Sequence, residues 1–450
     1  VADYGKIFKA YDIRGLVPAE LDEGVAQAVG AAFASLTGAE SVLVVHDMRT
    51  SSVPLAAAFA RGATAAGANV IDGGLGSTDM LYYGSGSLGI PGAMLTASHN
   101  PARYNGIKLC RAGAKPVGQD TGLAQLRELA ADGTWTEAAV PGTVTSQDLL
   151  SGYADYLKTL VDLSAIRPLK VAVDAGNGMA GHTVPKVFSG LKIDLVPLYF
   201  ELDGSFPNHE ANPIDPANLA DLQRAVVASS ADIGLAFDGD ADRCFVVDER
   251  GEIVSPSVLT ALIATRELAR EPGATIIHNL ITSRAVPQIV AEHGGTPVRT
   301  RVGHSFIKAV MSEQGAIFGG EHSGHFYFRD FWFADSGMLA ALHVLAALGG
   351  QDKPLSQVLA EFSRYVASGE INSEVSDQAA ATARVRREFA DRVGITADEL
   401  DGLTISADDW WFNLRPSNTE PLLRLNVEAS DETMLAKVTD EVLHIVRDGD

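Results

Sequence analysis

A short apolar run ending in a polar cluster recurs along this chain, and that recurrence limits its fold more than any other feature. Val42-Leu43-Val44-Val45 ends at His46-Asp47, Val171-Ala172-Val173 at Asp174-Ala175-Gly176-Asn177-Gly178, and Thr275-Ile276-Ile277 at His278-Asn279. Each run reads as a buried strand and is followed by a helical pattern, as where Pro54-Leu55-Ala56-Ala57-Ala58-Phe59 leads toward Ala66-Gly67-Ala68. A second strand-like run then ends in a richer polar cluster. Ala93-Met94-Leu95 runs into Thr96-Ala97-Ser98-His99-Asn100-Pro101, and Ile233-Gly234-Leu235-Ala236-Phe237 into Asp238-Gly239-Asp240-Ala241-Asp242-Arg243. Ala316-Ile317-Phe318 runs into Gly319-Gly320-Glu321-His322-Ser323-Gly324-His325.

Strands alternating with helices build βαβ units. Three copies of the pattern in 450 residues predict three related α/β domains with mixed, mainly parallel sheets. The segment from about residue 367 reads differently. Trp410 to Leu414 is one strand, Leu422 to Glu428 alternates as a half-buried strand, and a final amphipathic helix carries Met434, Leu435, Val438, Val442, Leu443 and Val446 on its apolar side, with Ser430 as its expected N-cap. This predicts a smaller C-terminal α+β domain. The expected domains are 1–150, 151–252, 253–366 and 367–450, with Gly349-Gly350 and the polar stretch from Ser368 to Glu374 as linkers.

The polar clusters fall just after strands, where open α/β sheets bind ligands. Asp238, Asp240 and Asp242 can converge on one hard cation if their loop curls around it. A solvated acidic turn is the plain alternative. An EF-hand is excluded, because Arg243 stands where that loop needs Gly and a strand precedes it. A phosphatase with Asp238 as nucleophile stays open. Ser98, in a turn-forming Ser-His-Asn-Pro sequence with Lys108 nearby, is either an ordinary turn residue or a serine that handles phosphate. Glu321, Ser323 and His325 lie in a glycine-flanked loop suited to sugar hydroxyls, and the two imidazoles lack metal-motif spacing. Arg415, Ser417, Asn418 and Thr419 offer a guanidinium fork, hydroxyls, an amide and backbone donors, the means of holding phosphate without a P-loop. A long hairpin turn would look similar. Together the four motifs point to phosphoryl transfer on a phosphorylated sugar.

Composition narrows the partners. With 35 basic and 57 acidic residues the net charge is −22, unfavourable for binding nucleic acid or an anionic membrane surface. No apolar run approaches a membrane span, since His343 interrupts the nearest, Leu339 to Leu348. Two cysteines, Cys110 and Cys244, and no leader pattern in the first residues lead to the expectation of a cytoplasmic protein. Positive charge for an anionic ligand must then be concentrated locally.

These motifs, one per expected domain and in this order, resemble those of the α-D-phosphohexomutases, the family of phosphoglucomutases, phosphomannomutases and phosphoglucosamine mutases. Lys9-Ala10-Tyr11-Asp12-Ile13-Arg14-Gly15 resembles the family's N-terminal segment as well. The resemblance implies four domains around a central cleft and Ser98 as a phosphorylated serine. Mg²⁺ would be held by Asp238, Asp240, Asp242 and the phosphoserine. Arg14, Lys108 and Arg243 would surround the transferring group, with His99 beside the serine. Glu321 and Ser323 would read sugar hydroxyls, and Arg415, Ser417, Asn418 and Thr419 would hold the phosphate that is not reacting. His325 and His304 would be acid/base or positioning groups. The implied reaction interconverts hexose 6-phosphate and hexose 1-phosphate through a hexose 1,6-bisphosphate, by a monomer or weak homodimer whose ligands are small phosphosugars. Asn418 and the Gly-Glu-His-Ser-Gly-His loop resemble the mannose-active branch, with a phosphoglucosamine mutase or a metal-dependent phosphatase as the alternatives. Leu280 stands where some relatives carry Lys, which leaves Arg284 and Lys308 as substitutes for that charge.

Overall fold

Leu43, Val44 and Val45 lie in a strand, Ser41–His46, that is flanked in parallel by Asn69–Leu75 and Gly92–Leu95. The fourth strand, Tyr104–Arg111, returns antiparallel against Gly92–Leu95. The computed structural model, which describes residues 3–135, 137–390, 392–416 and 422–447, repeats this unit twice. In the second copy Leu169–Asp174 lies between Ile193–Leu198 and Ile233–Phe237, and Cys244–Asp248 returns antiparallel. In the third, Thr275–Asn279 lies between Thr296–Thr300 and Phe318–Gly320, with Phe326–Phe328 returning. The parallel half of each sheet comes from βαβ crossovers and the antiparallel half from a hairpin. Ile13–Leu16, Lys115–Pro116 and Val144–Ser146 extend the first sheet to seven strands, while the second and third have five each.

The three polar clusters occupy the same place. Each is the hairpin that joins the third parallel strand to its antiparallel return, at residues 96–103, 238–243 and 321–325. The repeat visible in the sequence is therefore a repeat of topology. The third of these strands begins at Phe318, two residues later than the apolar pattern predicts, because Ala316 and Ile317 are spent in the turn after the helix His304–Gln314.

The C-terminal sheet is wholly antiparallel, in the order Val366–Glu374, Leu422–Ala429, Trp410–Pro416, Leu403–Ser406, Thr396–Asp398. Two expectations need correction here. Ser368 to Glu374 is an edge strand, not a linker, since backbone pairing to Leu422–Ala429 holds a mostly exposed polar segment extended. Asp431, not Ser430, caps the last helix, Glu432–Arg447, accepting from the Met434 N–H at 2.9 Å.

One apolar core runs through the first three units, from Leu43 and Met94 through Tyr153 and Val171 to Phe318 and Leu342. The apolar run around His343 is its central helix, Gly337–Gly349, buried along its whole length. The C-terminal sheet and its two helices close a core of their own around Phe389, Phe412, Leu425 and Val442. A small apolar cluster, Leu280, Ile281 and Trp411, joins it to the third unit. Among the described residues no helix is long and apolar enough to cross a membrane.

Candidate active site

The hairpin after Gly92–Leu95 puts Ser98 in a left-handed backbone conformation, φ 51°, that a residue with a Cβ adopts only under constraint. That constraint has a visible source. The buried Arg49 guanidinium donates to the carbonyls of Ser98 (2.9 Å), Asn100 (2.6 Å), Pro101 (3.0 Å) and Tyr104 (3.0 Å), and is paired with the buried Asp47. Arg14 adds a hydrogen bond to the Asn100 side chain while its Nε holds Asp12 at 2.7 Å. Two arginines thus pin the loop. Neither Arg49 nor Asp47 was anticipated as a site group. The signal lay in Asp47-Met48-Arg49, just past the first strand, where a parallel sheet places its polar groups.

The constrained serine faces the second unit. Its Oγ donates to Asp238 Oδ2 at 2.7 Å, and His99 Nδ1 lies 3.2 Å from the same oxygen. Gly239 is required by this approach, since a Cβ there would sit 2.4 Å from the Ser98 carbonyl oxygen. Burial first, then Arg243 and Arg14, hold the His99 imidazole well below its usual range, so it is neutral. Asp238, Asp240 and Asp242 are buried and bring carboxylate oxygens within 4.8 Å of one another. Lys108 Nζ donates to Asp240 Oδ2 at 2.7 Å and Asp242 Oδ2 at 2.6 Å, and Thr78 Oγ1 also donates to Asp240 Oδ2, at 2.6 Å.

Electrostatics follow from that crowding. Burial would lower the Lys108 ammonium, but the two carboxylates outweigh it and hold it above its usual range. Asp240 is held below the usual carboxylate range because Lys108, Thr78 and Arg14 together outweigh its burial. Burial and the neighbouring aspartates push Asp238 well up, and burial with Asp240 pushes Asp242 to about 6. A set of carboxylates that resists full ionisation is short of positive charge. Asp240 Oδ1 and Asp242 Oδ1 are buried without hydrogen-bond partners among the described residues. Lys108 thus holds one oxygen of each while the other stays open, and the donor set is all oxygen. These residues fit a hard divalent cation.

The third unit closes the site. Arg243 Nε donates to His325 Nε2 at 3.2 Å, and His325 Nδ1 lies 2.9 Å from Ser323 Oγ. Arg14, Lys108, Arg243 and His325 line one cavity with Asp242 and Lys308. Glu321 is buried, and burial pushes its carboxyl up; it accepts from Tyr327 OH (2.6 Å), Asn279 Nδ2 (3.1 Å) and the Gly303 N–H (3.4 Å). Those donors take up most of its acceptor capacity and leave room for about one more.

The expected substitutes for domain III's charge part ways. Arg284 is turned to the C-terminal domain, donating to the carbonyls of Ala407 (3.1 Å), Asp408 (2.8 Å) and Trp410 (3.0 Å). Leu280 packs beside Ile281 and Trp411 at the same contact. Lys308 stays in the cavity, paired with Asp335 at 2.5 Å and 4.1 Å from the Tyr82 ring. Arg415 stands on a C-terminal strand and pairs with Glu370 at 2.9 Å. It is electrically close to the third loop, for burial and then Arg415, Arg243 and Arg424 bring His322 down to about 3. Ser417, Asn418, Thr419 and the His304 side chain lie outside the described residues.

Four family models match in order: phosphoglucomutase/phosphomannomutase alpha/beta/alpha domain I at residues 5–136, domain II at 151–251, domain III at 255–365 and the C-terminal domain at 370–445. A phosphomannomutase of Salmonella montevideo is 40% identical over 451 residues, covering 98% of each chain. One from Escherichia coli is 40% identical over 451 residues, covering 98% of this chain and 99% of its own. A crystal structure of a phosphoglucomutase/phosphomannomutase family protein from Burkholderia thailandensis superposes with a TM-score of 0.90 at 34% identity, covering 100% of this chain and 99% of that one. With every domain matched in order along the whole chain, this protein belongs to the phosphoglucomutase/phosphomannomutase family and is a hexose phosphate mutase.

Proposed function

We propose that this enzyme interconverts mannose 6-phosphate and mannose 1-phosphate, with activity on glucose phosphates as well, by way of a phosphoserine at Ser98 and a hexose 1,6-bisphosphate. The observation that carries the reading is the constrained Ser98, its Oγ 2.7 Å from Asp238 and across from the Lys108-bridged pair Asp240 and Asp242. A phosphatase has no use for a second phosphate clamp, whereas this chain carries Arg415 on a strand of the separately cored C-terminal sheet, its charge felt at His322 of the sugar loop. The mannose preference draws on the names of the phosphomannomutase relatives and on the Asn418 motif.

In this mechanism a hydroxyl of the hexose monophosphate attacks phosphorus on phosphorylated Ser98, the bond from phosphorus to Ser98 Oγ breaks, and the bisphosphate forms. Once Arg243 turns from His325 Nε2 to the phosphoryl oxygens, that nitrogen takes the hydroxyl proton. Lys108, Arg243 and Arg14 stabilise charge on the phosphoryl oxygens. Asp238, Asp240 and Asp242 would hold Mg²⁺, which when bound neutralises charge on the transferring group. His99, neutral and buried beside Ser98, orients the oxygen. Glu321 and Ser323 contact sugar hydroxyls while Arg415, Ser417, Asn418 and Thr419 grip the other phosphate. His304 positions the sugar from the start of its helix. The intermediate then turns end for end and returns its other phosphate to Ser98. Water must be kept out meanwhile, and the separately cored C-terminal domain is the part able to close.

The same reading divides the chain at 150, 252 and 366 and assigns a monomer or weak homodimer acting on small phosphosugars in the cytoplasm, where its two buried free thiols stay reduced. The test is ³¹P NMR of mannose 1-phosphate with enzyme, Mg²⁺ and a trace of hexose 1,6-bisphosphate. A growing mannose 6-phosphate signal is expected, and a parallel sample of glucose 1-phosphate sets the preference. Release of inorganic phosphate alone would mean a phosphatase.

A further inference from the structure

The edge strand Val366–Glu374 loses register with Leu422–Ala429 between Ala367 and Glu370, and Gly369 within that break has φ 68°. This is a β-bulge with glycine at the left-handed position, a device that re-aims a side chain. The side chain re-aimed is Glu370. Its Oε2 accepts from Arg415 Nη2 at 2.9 Å, and its Oε1 lies 3.6 Å from Arg424 Nη1. Arg415 and Arg424 are directly opposite each other on paired strands. Two like charges so placed repel, and Glu370 stands between them.

We propose that Glu370 is a displaceable counter-ion: it occupies the Arg415 clamp when no sugar phosphate is there and competes with the bound phosphate for it, so that it sets how readily the bisphosphate is let go. The inference rests on the reading of Arg415 as a phosphate-binding residue. The contact has the geometry of a partner that can be exchanged. Strong arginine–carboxylate pairs are frequently bidentate, whereas among the described residues Glu370 reaches Arg415 through one short contact with a side chain 27% exposed, and leaves Arg415 Nε without a hydrogen-bond partner. A phosphate dianion offers more oxygens and more charge, so it wins the fork when it arrives. Release is where Glu370 acts. A bisphosphate that must leave the clamp by one end and return by the other is released sooner when a tethered carboxylate takes over Arg415 as the phosphate departs. Glu370 forms no bond to phosphorus; it is a positioning residue.

The experiment measures calorimetric binding of mannose 6-phosphate in a Ser98→Ala background, with and without Glu370→Gln, alongside steady-state kinetics of Glu370→Gln alone. The expected result is binding tighter by about fivefold, the scale of a partly exposed ion pair, with KM and kcat both lower and less bisphosphate escaping to solution per turnover. A purely structural role for Glu370 would instead raise KM and weaken binding, and that outcome, or unchanged binding by the folded variant, overturns the proposal. Arg415→Ala separates the two layers. If it leaves binding intact, the clamp reading itself fails. If it weakens binding while Glu370→Gln does not tighten it, only the counter-ion role fails. In the double variant Glu370→Gln/Arg415→Ala the tightening should vanish.

Discussion

Arg49 holds the backbone of Ser98 without touching the reacting oxygen. Four carbonyls converge on one guanidinium, and a lysine cannot reproduce that planar fork. Arg49→Lys is therefore expected to lower kcat by about 10²-fold, the usual effect of a small misplacement of a reacting group, with KM nearly unchanged. Steady-state kinetics beside circular dichroism of the folded variant would check it; a raised KM at normal kcat would assign Arg49 to binding instead. At this scale the sequence is informative where chemistry restricts residue type. Three aspartates at alternate positions, and a Ser-His-Asn-Pro turn with Lys108 close by, limit what a loop can do, and the structure does bring Ser98, Lys108 and the aspartates together. Thr78 and Asp79 were not legible, and Asp47-Met48-Arg49 past the first strand showed a polar group without showing what Arg49 holds. These residues act by hydrogen bonds across distant segments, and no local spacing encodes such a partner.

Asp79 joins three elements at once. It lies in the first turn of the helix Thr78–Leu88, and it accepts from Ser77, from Tyr153 OH in the helix Leu150–Leu160 at 2.6 Å, and from Ser336 Oγ, the N-cap of Gly337–Gly349, at 2.6 Å. Burial, outweighing those three donors, pushes its carboxyl up to about 6. The folded state thus binds this proton more tightly than the unfolded chain, whose carboxylate titrates near about 4. Stability from this group is full below that value and is lost as pH rises toward 6. Asp79→Asn removes the titration, so its unfolding free energy, read by denaturant titration, should gain on the wild type between pH 4 and 6, by at most about 3 kcal/mol at ~1.4 kcal/mol per pH unit. A gap independent of pH would show that Asp79 is ionised throughout. Elements were read well wherever a short apolar run was uninterrupted, as in Ser41–His46 and Ile233–Phe237. They were read poorly where pairing alone makes the strand. The segment Ser368 to Glu374 has a linker's composition and becomes a strand only because Leu422–Ala429 lies beside it.

The whole molecule divides by its cores rather than by its motifs. Three units share one apolar interior and cannot move far against each other, while the fourth owns its interior and docks through Arg284, Trp411 and a few loop contacts. Arg284→Ala should loosen that docking, since hydrogen bonds to a charged group are worth about 1.5–3 kcal/mol in all but the most exposed settings. Hydrogen exchange is expected to quicken in Leu403–Ser406 and Trp410–Pro416 and to stay unchanged in Ser41–His46. Equal quickening throughout would mean that the four domains open as one. The shared interior was hidden from the sequence, because contacts between domains follow from packing of faces and leave no periodic trace. The gathering of positive charge was visible in outline: Arg14, Lys108 and Arg243 line one cavity, while Arg415 lies outside that cavity's lining, paired with Glu370.

The central claim is that Ser98 carries the phosphoryl group between the two ends of the sugar. Its most direct test is intact mass and fragment analysis of the protein after incubation with hexose 1,6-bisphosphate and Mg²⁺, followed by a chase with mannose 1-phosphate. The account predicts one phosphate on Ser98, lost on the chase as bisphosphate appears, and neither event in Ser98→Ala, whose turnover falls by at least about 10³-fold. A phosphate carried on Asp238, or turnover persisting in Ser98→Ala, would contradict it.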